Sequence, residues 1–331
     1  MRLLGLVLIA LISCSAFATA AEPVRLIFDT DMGNDIDDAI ALAAIHALES
    51  RGEVKLLAVT VTKDNRWAAP YIDLVNTFYG RPDIPIGVVH NGKTPKDSDY
   101  LTKPASERDD QGRYVYPHDL EDGSKAPEAV ELLRRTLEQQ PDHSVTIAQV
   151  GFSTNLGRLL QSQGGMELVK RKVQLLSLMA GNFVKPQPEY NVYIDAEAAR
   201  YLFEHWPTPM VFSGYEVGLA AKFTFQSIQK DFNYTRHHPI AEAYRLYLPK
   251  GEDRPSWDPT AVLYAIRPDR GYFGLSEPGR VALGPKNTTV FTPERDGNCR
   301  YLKIDATQAA RVVAVLETLA SQPPQKPIAV R

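Results

Sequence analysis

Apolar, β-branched runs alternate along this chain with stretches of helical length, and few architectures accommodate that alternation. Strands are expected at Val24–Phe28, Lys55–Val61, Ile84–Val89, Val145–Val150, Val173–Met179 and Pro209–Ser213. Helices are expected at Asp38–Leu48, Pro70–Tyr79, Pro127–Gln140, Asn155–Gln161 and Asp195–Phe203, with Thr307–Ser321 closing the fold. Strands that alternate with helices build βαβ units on a parallel sheet. The expected class is therefore α/β: a mostly parallel, Rossmann-like sheet flanked by helices. No internal repeat or low-complexity linker breaks the pattern, so residues 21–331 read as one domain, a length that α/β domains reach. Two segments depart from it. Asn91–Gly123 is rich in Asp, Lys, Pro and Gly and reads as a long surface excursion. Lys222–Arg254, with Tyr234, His237, His238, Tyr244 and Tyr247, reads as a partly helical cap, its adjacent histidines on a solvated surface.

The amino terminus follows a different logic. Arg2 precedes the apolar run Leu3–Ile12, and Ala18-Thr19-Ala20 follows it. One positive charge, a short apolar core and a small-residue site describe a secretory signal over residues 1–20. The run is too short to leave a membrane span in the mature chain. Leu11-Ile12-Ser13-Cys14 also fits a lipobox, so export with cleavage near Ala20 and export as a lipoprotein anchored at Cys14 both stay open. Either way Cys299 is left without an intramolecular disulfide partner. A net charge of −3 gives no electrostatic reason to expect nucleic acid as a partner.

Five aspartates crowd the junction between the first strand and the first helix: Asp29, Asp31, Asp35, Asp37 and Asp38. Each carboxylate opposes ionisation of its neighbours, whereas a helix cap needs only one. A bound cation is the usual way to hold such a group. In a parallel sheet, ligands bind beyond the carboxyl ends of the strands. Asn65, Val150-Gly151 and Asn182 lie at three further strand ends, so four ends converge on polar groups. Glu189 and Asn191, two apart on a segment read as extended, face one side together.

These residues resemble a known family. Asp31-x-Gly33 followed by Asp37-Asp38-Ala39-x-Ala41-Leu42 is similar to the amino-terminal signature of the nucleoside hydrolases, the inosine–uridine-preferring ribohydrolases. Val150-Gly151-Phe152-Ser153-Thr154-Asn155 resembles their Thr-Gly-Pro-Leu-Thr-Asn segment. Met179-Ala180-Gly181-Asn182 resembles Met-Gly-Gly, and Glu189-Tyr190-Asn191 with Asp195-Ala196-Glu197-Ala198-Ala199 resembles Glu-Phe-Asn and Asp-Pro-Glu-Ala-Ala. Asp258-Pro259-x-Ala261 resembles a late Asp-Pro element. The ordered set spans Arg25 to Ala261.

The resemblance implies the nucleoside-hydrolase fold, an exported N-glycosyl hydrolase, and a ribonucleoside or related N-riboside as substrate. It also implies a homo-oligomer, dimer or tetramer. The implied cofactor is calcium, held by Asp31, Asp38, Asp258 and the backbone carbonyl of Val150; oxygen donors suit calcium or magnesium over zinc. Asp31 is implied as general base towards water. Asp37, Asn65, Met179, Asn182, Glu189 and Asn191 are implied on the ribose side, with Asp35 the alternative to Asp37. That alternative arises because two extra residues separate Asp31 from the Asp37-Asp38 pair. The Met179–Glu189 interval is shorter than in the best-known members. Trp257 stands before Asp258, where many pyrimidine-cleaving members carry a histidine proposed to protonate the departing base. The purine-preferring branch carries a stacking tryptophan there, so a purine preference is implied, with the Tyr244–Tyr247 region closing over the base. With no histidine at that place, His90, His118 or a cap tyrosine is left as candidate acid. Two other functions compete: a non-catalytic exported riboside- or sugar-binding protein on the same fold, and a haloacid-dehalogenase-type phosphatase, suggested by Asp29-x-Asp31 after an apolar strand.

Overall fold

The computed structural model describes residues 22–325, so the signal segment over residues 1–20 lies outside the described residues. All six expected strands form: β1 (Val24–Thr30), β2 (Val54–Lys63), β3 (Ile86–Lys93), β4 (Val145–Gln149), β5 (Val173–Met179) and β6 (Met210–Ser213). Three more follow, β7 (Gly279–Leu283), β8 (Thr289–Pro293) and β9 (Cys299–Lys303). They join a ten-stranded sheet in the order β8-β7-β9-β6-β5-β4-β1-β2-β3, with the short Gly274–Leu275 strand paired to β9. From β3 to β9 neighbouring strands are parallel, and β7 and β8 add an antiparallel edge.

Strand β1 is central, and its register sets the site. Phe28 lies opposite Val59 on one side and Ala148 on the other, and Asp29 opposite Thr60 and Gln149. Three chains thus reach their carboxyl ends at one level. Successive side chains of a strand face opposite sides. Leu26 and Phe28 accordingly join the apolar core with the helices Asp37–Ser50, Ala68–Phe78 and Trp257–Ile266. Ile27 joins the core on the other side, with the helices Ala129–Glu138, Thr154–Gln161 and Ala196–His205. The closing helix runs Ala306–Ala320, started by a capping box in which Asp305 and Gln308 bond each other's backbone.

Three segments differ from expectation. The 91–123 excursion contains a helix, Asp99–Ser106, because Tyr100, Leu101 and Ala105 bury one face of it against the core. The segment after Glu189 is a helical turn, Tyr190–Ile194, and not extended: the Glu189 carboxylate caps it by accepting from the amides of Asn191 and Val192. His238 is buried, its Nε2 bonded to the Tyr234 hydroxyl at 2.7 Å and its ring against Phe78 and Phe232; only His237 is exposed. The cap region does contain helices, Phe225–Lys230 and Pro239–Tyr247, bounded by a short antiparallel pair of Lys222–Phe223 with Arg254–Pro255.

Candidate active site

The acidic loop is held by short local bonds. The Thr30 hydroxyl donates to the Asp38 carboxylate and accepts the Met32 amide at 3.1 Å. Asn34 donates its side-chain amide to Asp31 at 2.6 Å, and the Lys63 ammonium donates to Asn34 Oδ1 at 2.9 Å. Gly33 sits at φ 116°, a conformation only glycine adopts freely, and a Cβ there would lie 2.4 Å from Leu101. Its amide donates to the Tyr100 hydroxyl at 2.7 Å, and that hydroxyl donates to the Asp35 carbonyl. The helix the sequence did not announce is therefore a clamp on the loop. Asp29 lies deeper, accepting from Thr60 at 2.6 Å and Asn155 at 2.8 Å.

Around this loop opens a cleft of about 190 Å³ at the carboxyl ends of the strands. Of the expected residues, Asp31, Asp35, Val150, Met179, Glu189, Asn191, Trp257 and Asp258 form its walls. Asp37 and Asp38 are fully buried just beneath, where Asp37 accepts the Asp258 amide at 3.2 Å. The Asn191 amide donates to the Val150 carbonyl at 2.7 Å and to the Met179 carbonyl at 3.1 Å, joining two strand ends.

Asn65 and Asn182 do not line the cleft. Asn65 is committed to its own loop, donating to Pro95 and Asp97 and accepting the Trp67 amide. Asn182 Oδ1 accepts the amides of Val184 and Lys185. Tyr244 is also no lid: it is buried, with its hydroxyl on the Glu252 carbonyl at 2.9 Å. Three wall residues went unforeseen, Tyr190, Tyr215 and Arg254. Tyr215 follows the end of β6, so the strand-end rule extended to that strand would have found it. Tyr215 stacks on Trp257 with ring centroids 5.3 Å apart, and its carbonyl accepts the indole N–H at 2.8 Å. Gly218 lets the indole settle there, since a Cβ would lie 2.3 Å from Trp257 Cδ1. Arg254 donates Nε to Asp37 at 3.2 Å and Nη2 to Asp35, and no local pattern predicts pairing across more than two hundred residues.

Burial dominates the electrostatics. It raises Asp29 to about 7 and Asp31 to about 6, the latter opposed by the bond from Asn34 and reinforced by the charge of Asp37. Asp38 and Asp258 are likewise held well above the usual carboxylate range, by burial and then by neighbouring carboxylates. Glu189 rises to about 7 through burial, despite backbone amides that favour its anion. Burial alone would lower Arg254, but Asp37 and Asp35 outweigh it and hold its cation firmly.

The charge pattern suits a hard cation. One oxygen each of Asp35, Asp37 and Asp258 lies within 4.8 Å of the others, and Arg254 already donates to Asp35 and Asp37, its single charge offsetting one of their two. The Oδ2 atoms of Asp38 and Asp258 are buried and have no hydrogen-bond partner among the described residues. A buried anionic oxygen without a partner is costly. Together with Asp31 and the Val150 carbonyl, whose second lone pair is free of Asn191, they offer an all-oxygen donor set.

A cleft of this kind lies where an α/β sheet places its ligands, and the oxygen donors gathered there suit a hard cation. The family model of the inosine-uridine preferring nucleoside hydrolases matches residues 26–323. The chain is 29% identical to the pyrimidine-specific ribonucleoside hydrolase RihA of Citrobacter koseri, over 74% of this chain and 80% of that one. Its fold is similar to the inosine-uridine preferring nucleoside hydrolase of Bacillus anthracis, with a TM-score of 0.66 and 18% identity over 90% of this chain and 99% of the other. It is likewise similar to the purine-preferring ribonucleoside hydrolase of Gardnerella vaginalis, with a TM-score of 0.65 and 18% identity over 90% and 99%. The chain belongs to the inosine-uridine preferring nucleoside hydrolase family, and is by class an N-glycosyl hydrolase. The phosphatase expectation is overturned by that match.

An oxygen-preferring divalent cation should stabilise the folded chain by mass action. At a thousandfold excess over Kd that amounts to about 4 kcal/mol, and a rise in Tm of at least ~5 °C. Calorimetry in chelator against calcium or magnesium checks this, and identical melting curves would remove the cation from the cleft.

Proposed function

We propose that this protein hydrolyses the N-glycosidic bond of ribonucleosides with calcium as its cation and a preference for purines. The observation that carries the reading is a cleft walled by Asp31 and Asp258 beside aromatic rings. Asp38 is buried close enough to feel the charge of Asp31 and to act on Asp258, and the Oδ2 atoms of Asp38 and Asp258 are partnerless among the described residues. Calcium would be held by Asp31, Asp38, Asp258 and the Val150 carbonyl, and when bound it supplies Lewis acidity that lowers the pKa of water in the cleft. Asp31, forming the cleft wall, accepts the proton of the attacking water. Glu189 and Asn191, with Asp35 at the rim and Met179 beneath, orient the ribose. Oriented hydrogen bonds of this kind strengthen as the sugar acquires oxocarbenium character. Tyr190, Tyr215 and Trp257 supply the apolar faces for the base.

The matched relatives divide on the base, since RihA is pyrimidine-specific while the Gardnerella vaginalis protein is purine-preferring. The preference therefore rests on Trp257, half-buried on the cleft wall and braced by Tyr215. Stacking of a base on an aromatic ring contributes ~1–3 kcal/mol. Trp257→Ala should lower kcat/KM for inosine or guanosine by roughly 10–100-fold and for uridine by less. Steady-state kinetics on both substrates decides: equal losses would make Trp257 purely structural.

Asp31→Asn should reduce turnover by several orders of magnitude, because general-base catalysis alone contributes about 10²–10⁴-fold. Nucleoside turnover followed by reducing-sugar release tests it, and near-normal rates would take Asp31 out of the chemistry. We also propose that the chain is exported, on the strength of Arg2, Leu3–Ile12 and Ala18-Thr19-Ala20. The mass of the mature amino terminus should begin near Ala21 or carry lipid on Cys14, and an unprocessed Met1 would contradict export.

A further inference from the structure

We infer that Arg254 is a catalytic residue that meets the departing base, an assignment that rests on the hydrolase reading. The sequence offers no acid beside Asp258, and the structure supplies none of the expected substitutes. None of the seven histidines lines the cleft. His90 is exposed on β3, and His118 bonds the Tyr116 carbonyl at 2.7 Å. Of the cap tyrosines, Tyr244 is committed to the core, Tyr234 bonds His238, and Tyr247 is not among the residues that wall the cleft.

Arg254 is placed differently. Its backbone pairs with Phe223 in the short antiparallel ribbon, which delivers it to the cleft from the cap side. Asp37 fixes Nε and Asp35 fixes Nη2, while Nη1 has no hydrogen-bond partner among the described residues. The side chain is 15% exposed, and its guanidinium lies 4.8 Å from the Trp257 ring centroid and 5.3 Å from that of Tyr247. One charged donor is thus left over, immobilised, on the same wall as the indole that receives the base.

The chemistry calls for such a donor. When the bond from C1′ to the base nitrogen breaks, its electron pair goes to the base, while a bond forms from C1′ to the water oxygen. The proton of that water goes to Asp31. Guanidinium does not give up a proton near neutrality, so Arg254 stabilises the base as a hydrogen-bonded anion, which takes its proton from solvent as it leaves. Charge-assisted bonds are the strong ones, and a preorganised donor aimed at developing charge contributes about 10²–10³-fold in rate. The two carboxylates that anchor Arg254 keep it from swinging to another partner.

Arg254→Gln tests the assignment on inosine, uridine and a series of para-substituted phenyl ribofuranosides, whose leaving groups span a range of pKa. For inosine and uridine kcat/KM should fall ~100-fold or more, and for p-nitrophenyl ribofuranoside, which leaves readily as an anion, by less than ~10-fold. The dependence of log kcat/KM on leaving-group pKa should become steeper. Parallel losses across the series with an unchanged slope would overturn the assignment and leave Arg254 a structural partner of Asp35 and Asp37. Should Arg254→Gln fail to fold, Arg254→Lys keeps the charge without the fork, and its slope is read in the same way. A wild-type chain inactive on nucleosides and aryl ribosides alike would instead overturn the hydrolase reading, and this inference with it.

Discussion

Everything at this site follows from the need to hold several carboxylates together out of water. Repulsion between neighbours and loss of hydration both oppose ionisation, so the surrounding chain must provide compensation. It does so in kinds. Thr30, Thr60, Asn34 and Asn155 donate hydrogen bonds to Asp38, Asp29 and Asp31, and Arg254 brings a full charge to Asp35 and Asp37. The helices Asp37–Ser50 and Trp257–Ile266 also begin at the cluster, directing the positive ends of their dipoles towards it. The Oδ2 atoms of Asp38 and Asp258 are left without hydrogen-bond partners among the described residues, and buried anionic oxygens of that kind suit a hard cation.

The division of labour explains why the fold and half of the site could be read from the residues alone. The six core strands are largely apolar runs between turn residues, and the acidic loop is contiguous, so local pattern captures both. Asp31, Asp35, Glu189, Asn191 and Asp258 sit in ordered motifs and reached the cleft as expected. Asn65 and Asn182 occupy the right strand ends, but their side chains are spent on nearby backbone, a choice that depends on loop geometry. Tyr100 and Arg254 carry no local signal at all: each acts on the acidic loop from far along the chain, through a helix face in one case and a two-residue ribbon in the other. The misreading of Glu189 as part of an extended run has a similar source, because its carboxylate caps its own helical turn.

The cap segment is more than a cover. Phe223, Phe232, Ile240 and Tyr244 belong to the same apolar core as β1 and the helix Asp37–Ser50. The ribbon that bounds the cap carries Arg254, and the chain then turns directly into Trp257 and Asp258. Cap packing, charge compensation, the aromatic wall and the Asp258 carboxylate therefore lie along one segment, and a disturbance in any of them reaches the others through the backbone.

The bond from the Asp258 amide to Asp37 spans 221 residues of chain. Such a closure cannot form until nearly the whole domain is available, and contacts of that separation are slow to find. The amino-terminal aspartates thus emerge long before Asp258, which closes the cluster with them. Closure of the acidic cluster is consequently a late event in folding, and a chain cut short before Asp258 cannot reach it.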